Sequence, residues 1–200
     1  MTIWFASGNA HKKKELEAIL NGVLPAPVTV KIPSEADIPF DPEETGASFP
    51  ENSLLKARAL YRLLRERGLG GPVIADDSGL CVDALDGRPG IYSARYGGGE
   101  QPGAERNALL LKELGDNPNR KARFVCAMVL LKSDDEFYIA QETLEGELTR
   151  EQQGKGGFGY DPIMRLPERG CTVAELPEDE KNAISHRGKA AKAIAKFVCT

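Results

Sequence analysis

The feature that most constrains the fold of this chain is the alternation of short apolar runs with longer helical patterns. Ile3–Ala6 has the character of a strand, and the segment Lys12–Leu20 that follows places its apolar residues on one helical face. Glu51–Arg67 is a second amphipathic segment, and the apolar run Val73–Ala75 comes after it. Strands and helices mixed in this way predict an α/β fold.

The length of the chain allows one substantial core. A folded chain of 200 residues buries roughly 70% of the surface that its unfolded form exposes. No internal repeat and no linker of biased composition interrupts the sequence. We therefore expect a single domain over residues 1–200, with two lobes around a cleft.

The composition argues against several classes of protein. No apolar run approaches the ~20 residues that cross a bilayer, and Met1–Ala6 lacks the basic and long apolar stretches of a secretion signal. We expect a cytoplasmic protein without a membrane partner. The net charge of −4 disfavours binding of a nucleic acid polymer by counterion release. The four cysteines are widely spaced, which favours reduced thiols over a zinc site.

The loop Ser7-Gly8-Asn9 lies between the first predicted strand and a helix that is rich in lysine at its start. Backbone N–H groups at such a helix N-terminus can receive a phosphate, and Lys12 would neutralise its charge. An ordinary tight turn with an Asn cap has the same sequence pattern, so this segment alone leaves both interpretations open.

The second helix is predicted to begin with a capping box formed by Ser48 and Glu51. Within it, Asn52 and Lys56 are four residues apart and share one face, and Glu43-Glu44 precedes the helix in a loop. A carboxylate and a lysine are expected to converge there. The alternative is the solvated face of an amphipathic helix.

Asp76-Asp77 follows an apolar strand directly, and we place the pair at the end of that strand. Two adjacent carboxylates there are costly unless they face a cleft, a cation or strong donors. Mg²⁺ takes oxygen ligands, including one or two carboxylates. An Asx-type turn with Ser78-Gly79 in a hairpin is the competing interpretation.

The glycine-dense segment Gly154–Asp161 contains neither a GxxxxGK[ST] phosphate loop nor a GxGxxG fingerprint. It offers Phe158 among glycines, as a base-stacking platform requires, although a flexible hairpin would have a similar composition. Ser185-His186-Arg187-Gly188 opens the last predicted helix, four residues after Lys181. No GxSxG elbow is present, so His186 is not expected to serve a Ser-His-Asp triad.

Sequence blocks along nearly the whole chain carry a family resemblance. They are Ser7-Gly8-Asn9 with Lys12 and Glu15, Glu43-Glu44-Thr45-Gly46, Glu51-Asn52-Ser53 with Lys56, Ala75-Asp76-Asp77-Ser78-Gly79-Leu80, Pro89-Gly90-Ile91-Tyr92-Ser93-Ala94-Arg95, Gly156-Gly157-Phe158-Gly159-Tyr160-Asp161-Pro162, Ala174-Glu175-Leu176 and Lys181-Asn182-Ala183-Ile184-Ser185-His186-Arg187-Gly188. In this order they resemble the inosine/xanthosine triphosphate pyrophosphatase family, also called Ham1-like. Arg88 stands where a smaller residue is more common.

The resemblance implies a long central mixed sheet that forms two α/β lobes around an active-site cleft, and a homodimer. It also implies Mg²⁺-dependent hydrolysis of noncanonical purine nucleoside triphosphates (ITP, dITP and XTP) to the monophosphate and pyrophosphate. Asp77 matches the proton acceptor, and Glu43 with Asp77 the metal carboxylates. Substrate contacts match Ser7, Gly8, Asn9, Ala10, His11, Lys12, Lys56, Ser78, Phe158, Gly159, Tyr160 and Asp161, and the residues that recognise the base match Lys181, His186 and Arg187.

Other functions stay open at this point. A Maf-like pyrophosphatase shares the implied architecture and acts on other modified nucleotides, although the Ser185-His186-Arg187 segment argues against it. A non-catalytic nucleotide-binding regulator would be expected to lose its carboxylates first, yet Glu43, Asp76 and Asp77 are all present. A nucleic-acid-binding module fits the acidic balance least.

Overall fold

The computed structural model describes residues 1–98 and 102–199. Residue 200 and residues 99–101, part of a stretch rich in glycine that the sequence predicts as a loop over Gly87–Gly103, therefore lie outside the described chain. The described residues form α1 Ala10–Val23, α2 Phe49–Glu66, α3 Gly103–Leu114, α4 Glu178–Ile184 and α5 His186–Ala195. Their strands are β1 Thr2–Phe5, β2 Thr29–Lys31, β3 Val73–Val82, β4 Lys121–Leu131, β5 Phe137–Leu148, β6 Met164–Leu166 and β7 Cys171–Thr172.

The strands form one mixed sheet in the order β2-β1-β3-β4-β5-β6-β7. Strand β1 pairs in parallel with β2 and with β3, whereas β6 is antiparallel to both β5 and β7. This arrangement confirms the predicted α/β fold with a mixed sheet. None of the described helices combines the length and the apolar character that crossing a membrane requires.

The chain divides into two compact units. Unit 1 contains Met1–Asp77, Cys126–Glu142 and the residues from His186 onward. Unit 2 contains Ser78–Val125 and Thr143–Ser185. Each unit is therefore assembled from segments that are far apart in the sequence.

The core of unit 1 lies on both faces of the sheet. Side chains alternate along β1, so that Ile3 and Phe5 pack with α1 and α5 while Trp4 packs with α2 on the opposite face. Leu60 and Leu64 of α2 are buried there, as the predicted amphipathic pattern requires. The core of unit 2 forms where α3 packs on the continuing strands, and includes Leu80, Leu110, Leu114, Phe124, Tyr160 and Ile163.

The helix ends differ in part from the predicted ones. Glycine is common just after a helix, so the sequence predicts that α1 ends at Gly22, but the helix continues to Val23 and its C-cap is Leu24. The Ser48 hydroxyl accepts from the backbone N–H of Glu51 at 3.4 Å, which confirms half of the capping box. In a complete capping box the Glu51 carboxylate would accept from the N–H of Ser48. Here it accepts from the N–H of Ala47, one residue earlier.

Strand β3 shows the largest departure from expectation. It extends from Val73 to Val82 and passes through Asp76 and Asp77, so the acidic pair lies inside a strand and not at its end. The competing Asx turn with Ser78-Gly79 is likewise wrong. The prediction failed because two adjacent acids are normally too costly inside a buried strand, and here their cost is offset by distant cations.

Arg88, the departure from the family pattern, pairs with Glu113 at 2.7 Å. Its side chain is 59% exposed, so the contact is a surface ion pair between the loop after β3 and helix α3. The partner in this ion pair, Glu113, is not one of the residues predicted to bind substrate.

Candidate active site

The alternation of side chains along β3 sends its two acids to opposite faces of the sheet. Ile74 belongs to the core beneath α1 and α5, whereas Ala75 belongs to the core beneath α2. Asp76 therefore meets the first group of helices, and Asp77 meets α2. Both carboxylates are buried, with 1% and 6% of each residue exposed.

Asp76 lies at the centre of a buried ion-pair network. One of its oxygens accepts from Lys12 Nζ at 3.1 Å, and the other accepts from Nε and Nη2 of Arg187 at 3.2 and 3.1 Å. Arg187 Nη1 also donates to Glu15 at 2.6 Å. Burial by itself would raise the pKa of Asp76, but Lys12 and Arg187 hold it well below its ordinary value. Asp76 is therefore a permanent anion that orients two cations.

Asp77 has a different environment. Its carboxylate accepts from Lys56 Nζ at 3.3 Å and from Asn52 Nδ2 at 3.2 Å, so both partners come from α2. Burial raises the pKa of Asp77 above its ordinary value, and Glu44 raises it further, while Lys56 acts in the opposite direction. A carboxyl group with a raised pKa is suited to accept a proton or to bind a cation.

Lys56 joins Asp77 to the acidic loop before α2. Its ammonium donates to Glu44 at 2.7 Å. Burial tends to lower the pKa of Lys56, but Asp77 and Asp76 raise it overall, so the lysine is charged. Glu43 is exposed. Of the two adjacent glutamates it is thus Glu44 that the structure joins to Lys56, and the metal-binding role of Glu43 stays a prediction.

The acidic loop approaches α2 closely at Gly46. The N–H of Gly46 donates to Asn52 Oδ1 at 2.8 Å, and a Cβ at position 46 would lie 2.6 Å from that oxygen. Only glycine fits this approach without displacing Asn52, which is itself bonded to Asp77.

The predicted phosphate-binding segment lies at the N-terminus of α1. The Asn9 side chain caps the helix by accepting from the N–H of Lys12 at 3.1 Å, and Ser7 Oγ accepts from the N–H of Asn9 at 3.1 Å. Gly8, Asn9, Ala10 and His11 are exposed, and the first turn holds no acid. The helix end is thus open to an anion, with the Lys12 ammonium held nearby in unit 1 by Asp76.

The predicted base-stacking segment lies in unit 2 and is fixed around Asp161. The Asp161 carboxylate accepts from the N–H of Phe158 at 2.8 Å and from Lys181 Nζ at 2.8 Å. The Lys181 ammonium lies 4.5 Å from the centre of the Phe158 ring. A side chain at Gly157 would collide with the Asp161 carboxylate, and its φ of +68° also favours glycine.

Sequence reasoning missed two residues, Ser93 and Asn107, that hold this segment in place. The Tyr160 hydroxyl donates to the carbonyl of Ser93 at 2.8 Å, and Asn107 Nδ2 donates to the carbonyl of Gly159 at 3.0 Å. Ser93 lies in one of the blocks that carry the family resemblance, which was a usable signal. Asn107 follows Glu105 and Arg106 in a helix, and no pattern in the sequence distinguished it from its polar neighbours.

The predicted site residues thus form two groups, one in each unit. Unit 1 brings together the α1 N-terminus, Lys56, Asp77 and Arg187, and unit 2 brings together Lys181 and the segment Phe158–Asp161. His186 is buried at the start of α5, and Ser78 is half-buried in β3.

The burial of Arg187 does not suit the base-recognition role predicted for it. Only 2% of the residue is exposed, and its guanidinium donates three hydrogen bonds to Asp76 and Glu15. That role therefore stays a prediction, and these bonds weigh against it.

Comparison with known proteins identifies the family of this chain. A model of the Ham1 family matches residues 3–197. The chain is 48% identical over 201 residues to a dITP/XTP pyrophosphatase of Treponema denticola, covering 99% of this chain and 98% of the relative. It is 49% identical over 189 residues to a dITP/XTP pyrophosphatase of Pseudomonas syringae pv. tomato, covering 92% and 90% of the two chains.

Solved structures give the same result. A Ham1 protein from Coxiella burnetii superimposes with a TM-score of 0.85 at 38% identity, covering 100% of this chain and 98% of the other. The Ham1 protein of Staphylococcus aureus gives a TM-score of 0.83 at 38% identity, covering 98% and 97%. Since the family match extends over nearly the whole sequence and both relatives are closely similar throughout, the chain belongs to the Ham1 family.

Proposed function

We propose that this chain is a nucleoside-triphosphate pyrophosphohydrolase acting on noncanonical purine nucleotides. ITP, dITP and XTP would be cleaved to the monophosphate and pyrophosphate, which removes these nucleotides from the cellular pool. Relatives that are 48% and 49% identical are named dITP/XTP pyrophosphatases. The observation that carries the proposal is the buried Asp77, whose carboxylate has a raised pKa and contacts Lys56.

In this proposal unit 1 handles the phosphates. The exposed residues 8–11 lie at the N-terminus of α1, where a helix can receive a phosphate, while Lys12 and Lys56 supply positive charge for the leaving pyrophosphate. Asp77 orients the attacking water and accepts its proton, because its pKa is shifted toward neutrality. Positioning and charge stabilisation of this kind account for most of the catalysis in phosphoryl transfer.

Mg²⁺ is the proposed cofactor, and the donor set suits it. Glu44 and Asp77 both contact Lys56, and carboxylate oxygens are the ligands that Mg²⁺ prefers. Burial raises the pKa of Asp77, so a cation beside it would be favourable. Asp77 with Glu43, as the family resemblance implies, or with the neighbouring Glu44 would hold the ion. When bound, Mg²⁺ polarises phosphate oxygens and lowers the pKa of a coordinated water.

In the same proposal unit 2 recognises the base. Phe158 stacks on the purine, and Lys181 donates toward the 6-oxo group that hypoxanthine and xanthine share. The resemblance also assigns base recognition to His186 and Arg187 of unit 1, although the bonds of Arg187 to Asp76 and Glu15 weigh against its part in it. Adenine carries an amino group at that position, so the lysine would face a donor and binding would weaken.

We further propose that residues 1–200 act as one catalytic domain, that the protein is a homodimer and that it works in the cytoplasm. Size-exclusion chromatography with light scattering tests the dimer, and a monomer at micromolar concentration would contradict it.

The experiment that tests the function is product analysis on a nucleotide panel. ITP, XTP, ATP, GTP and modified pyrimidine triphosphates are incubated with Mg²⁺ or with EDTA, and the products are separated by ion-exchange chromatography. We expect IMP and XMP with pyrophosphate, in the presence of Mg²⁺ only. Release of diphosphate and orthophosphate would contradict the proposal.

The same panel separates the alternatives. Preferred hydrolysis of modified pyrimidine nucleotides would favour a Maf-like enzyme. Tight ITP binding without any turnover in Mg²⁺ would favour a non-catalytic regulator.

A further inference from the structure

We infer that Asn107 is a positioning residue for base recognition, and that it acts by holding the backbone that carries Phe158. The inference rests on the proposed function and deepens it, because it concerns how the base-binding segment of unit 2 is kept in place. Asn107 itself is a residue of helix α3, outside every sequence block that suggested the function.

The Asn107 amide is buried and connects two segments. Its Nδ2 donates to the carbonyl of Gly159 at 3.0 Å and to Gln152 Oε1 at 3.2 Å, and 1% of the residue is exposed. Gln152 in turn donates to the carbonyl of Ala104, in the first turn of α3, at 3.1 Å. The helix and the stretch that leads to Phe158 are thus joined by a continuous set of hydrogen bonds.

The backbone around Phe158 needs such support. Glycines with φ of +68° and +62° flank it at positions 157 and 159, and glycine has the greatest conformational freedom of any residue. Asp161 fixes the N–H of Phe158, and Asn107 fixes the carbonyl of the next residue. Together these two bonds determine the direction in which the Phe158 ring leaves the backbone.

A second tie reaches the same segment from another element. The buried Tyr160 hydroxyl donates to the carbonyl of Ser93, and the Ser93 hydroxyl accepts from the N–H of Leu80 at 2.8 Å. The segment is therefore held to β3 through Ser93 as well as to α3 through Asn107. Removing either tie leaves the other in place, which makes the contribution of each one measurable.

An asparagine at position 107 is unfavourable for packing alone. The position is one helical turn before the buried Leu110, where an apolar side chain would extend the core of unit 2. Instead an amide is buried, and its Oδ1 has no hydrogen-bond partner among the described residues. Burial of an unsatisfied polar atom is costly, so the hydrogen bond donated to Gly159 is the favourable contact at this position.

The test is Asn107→Leu, which keeps the branching at Cγ and the number of side-chain heavy atoms but removes the donor to Gly159. We expect the KM for ITP to rise about tenfold, the usual effect of leaving one buried carbonyl unpaired, while kcat changes by less than about threefold. Inhibition by pyrophosphate, which lacks a base, should keep its Ki within about twofold. Tyr160→Phe removes the second tie and should raise the KM for ITP in the same direction.

The matched control is Glu113→Gln on the same helix. Glu113 contacts Arg88 and Tyr96 and makes none of the bonds to the Phe158 segment, so it reports the effect of loosening α3 alone. We expect parental values of KM and Ki in this variant. Circular dichroism verifies that each variant is folded before kinetics are measured.

The possible outcomes separate the inference from the function beneath it. A parental KM for ITP in Asn107→Leu overturns the inference, and so does an equal rise in KM and in the Ki for pyrophosphate, which indicates a general structural role. Should Asn107→Leu fail to fold, Asn107→Ala, which also removes the donor to Gly159, takes its place, and a parental KM in that variant overturns the inference. A parent enzyme that neither binds nor hydrolyses ITP overturns the proposed function, and the inference with it.

Discussion

Replacement of Arg187 by methionine tests the buried network most directly. Methionine fills much of the same volume but leaves the Asp76 and Glu15 carboxylates without the guanidinium that bonds both. Removing one partner of a buried ion pair typically costs about 3–5 kcal/mol. Lys12 still bonds Asp76 in the variant, so we expect a loss near the lower end, about 3 kcal/mol of unfolding free energy.

The size of this effect should depend on pH, and its sign follows from the pKa of Asp76. In the parent that pKa is depressed, so the group stabilises the fold above about pH 4 and loses this contribution as pH falls. Without Arg187, Lys12 and Lys56 are left to oppose the effect of burial, so the pKa of Asp76 rises in the variant. Protonation of Asp76 at low pH then removes the cost of burying its charge. The difference between parent and variant should therefore be largest near pH 7 and shrink as the pH falls below about 4.

Urea unfolding at pH 7 and at about pH 3.5 measures the loss of unfolding free energy and its dependence on pH. For a chain of this length, a loss of about 3 kcal/mol also lowers Tm by about 6–12 °C. Arg65→Met is the control, because its ion pair with Asp134 has both side chains more than 60% exposed and should contribute less than about 1 kcal/mol.

A loss below about 1 kcal/mol at pH 7, or one that is independent of pH, would refute this account of the network. If Arg187→Met stays stable and instead changes the ranking of purine triphosphates, the guanidinium serves base recognition.

Three further predictions concern chemistry. Asp77→Asn should reduce turnover of ITP by at least ~100-fold without unfolding, and near-parental turnover at saturating Mg²⁺ would remove Asp77 from the mechanism. The parent should favour ITP over ATP and GTP by ~10⁴-fold in kcat/KM, and a ratio within tenfold would contradict this. Phe158→Ala should weaken the binding of every purine triphosphate without changing their order of preference. Burial raises the pKa of the Cys126 thiol to about 12, so iodoacetamide at pH 8 should label the exposed Cys199 and spare Cys126; mass spectrometry showing a labelled Cys126 in the folded protein would be incompatible with its burial.

Sequence patterns predicted those parts of the fold that local periodicity determines. The buried face of α2, the Ser48 cap and the helix that opens at His186 all depend on residues within a few positions of each other. The family resemblance selected residues across both units, and the contacts of Lys12, Lys56, Asp161 and Lys181 place them in two connected groups.

The interior position of Asp76 was not predictable in this way. Its carboxylate is compensated by Arg187, 111 residues further along the chain, and no local pattern reports such a partner. The choice between Glu43 and Glu44 as the partner of Lys56 depends on the path of an irregular loop, which has no periodicity to read. Asn107 was missed because its role depends on a contact with Gly159 that only the fold creates.

The division of unit 1 among three chain segments has a consequence for synthesis on the ribosome. Helix α1 buries Leu16 and Leu20 in a cluster that also contains Ala190 and Ile194 of α5. At 5–20 residues per second, roughly 10–30 s separate the emergence of the two helices. During that interval α1 can pack on β1 and β2 but lacks its contact with α5, and unit 2 also stays incomplete, because its second segment ends at Ser185, directly before α5. Both units are therefore expected to be completed only after residue 185 has been made, with the Arg187–Asp76 pair among the last contacts to form.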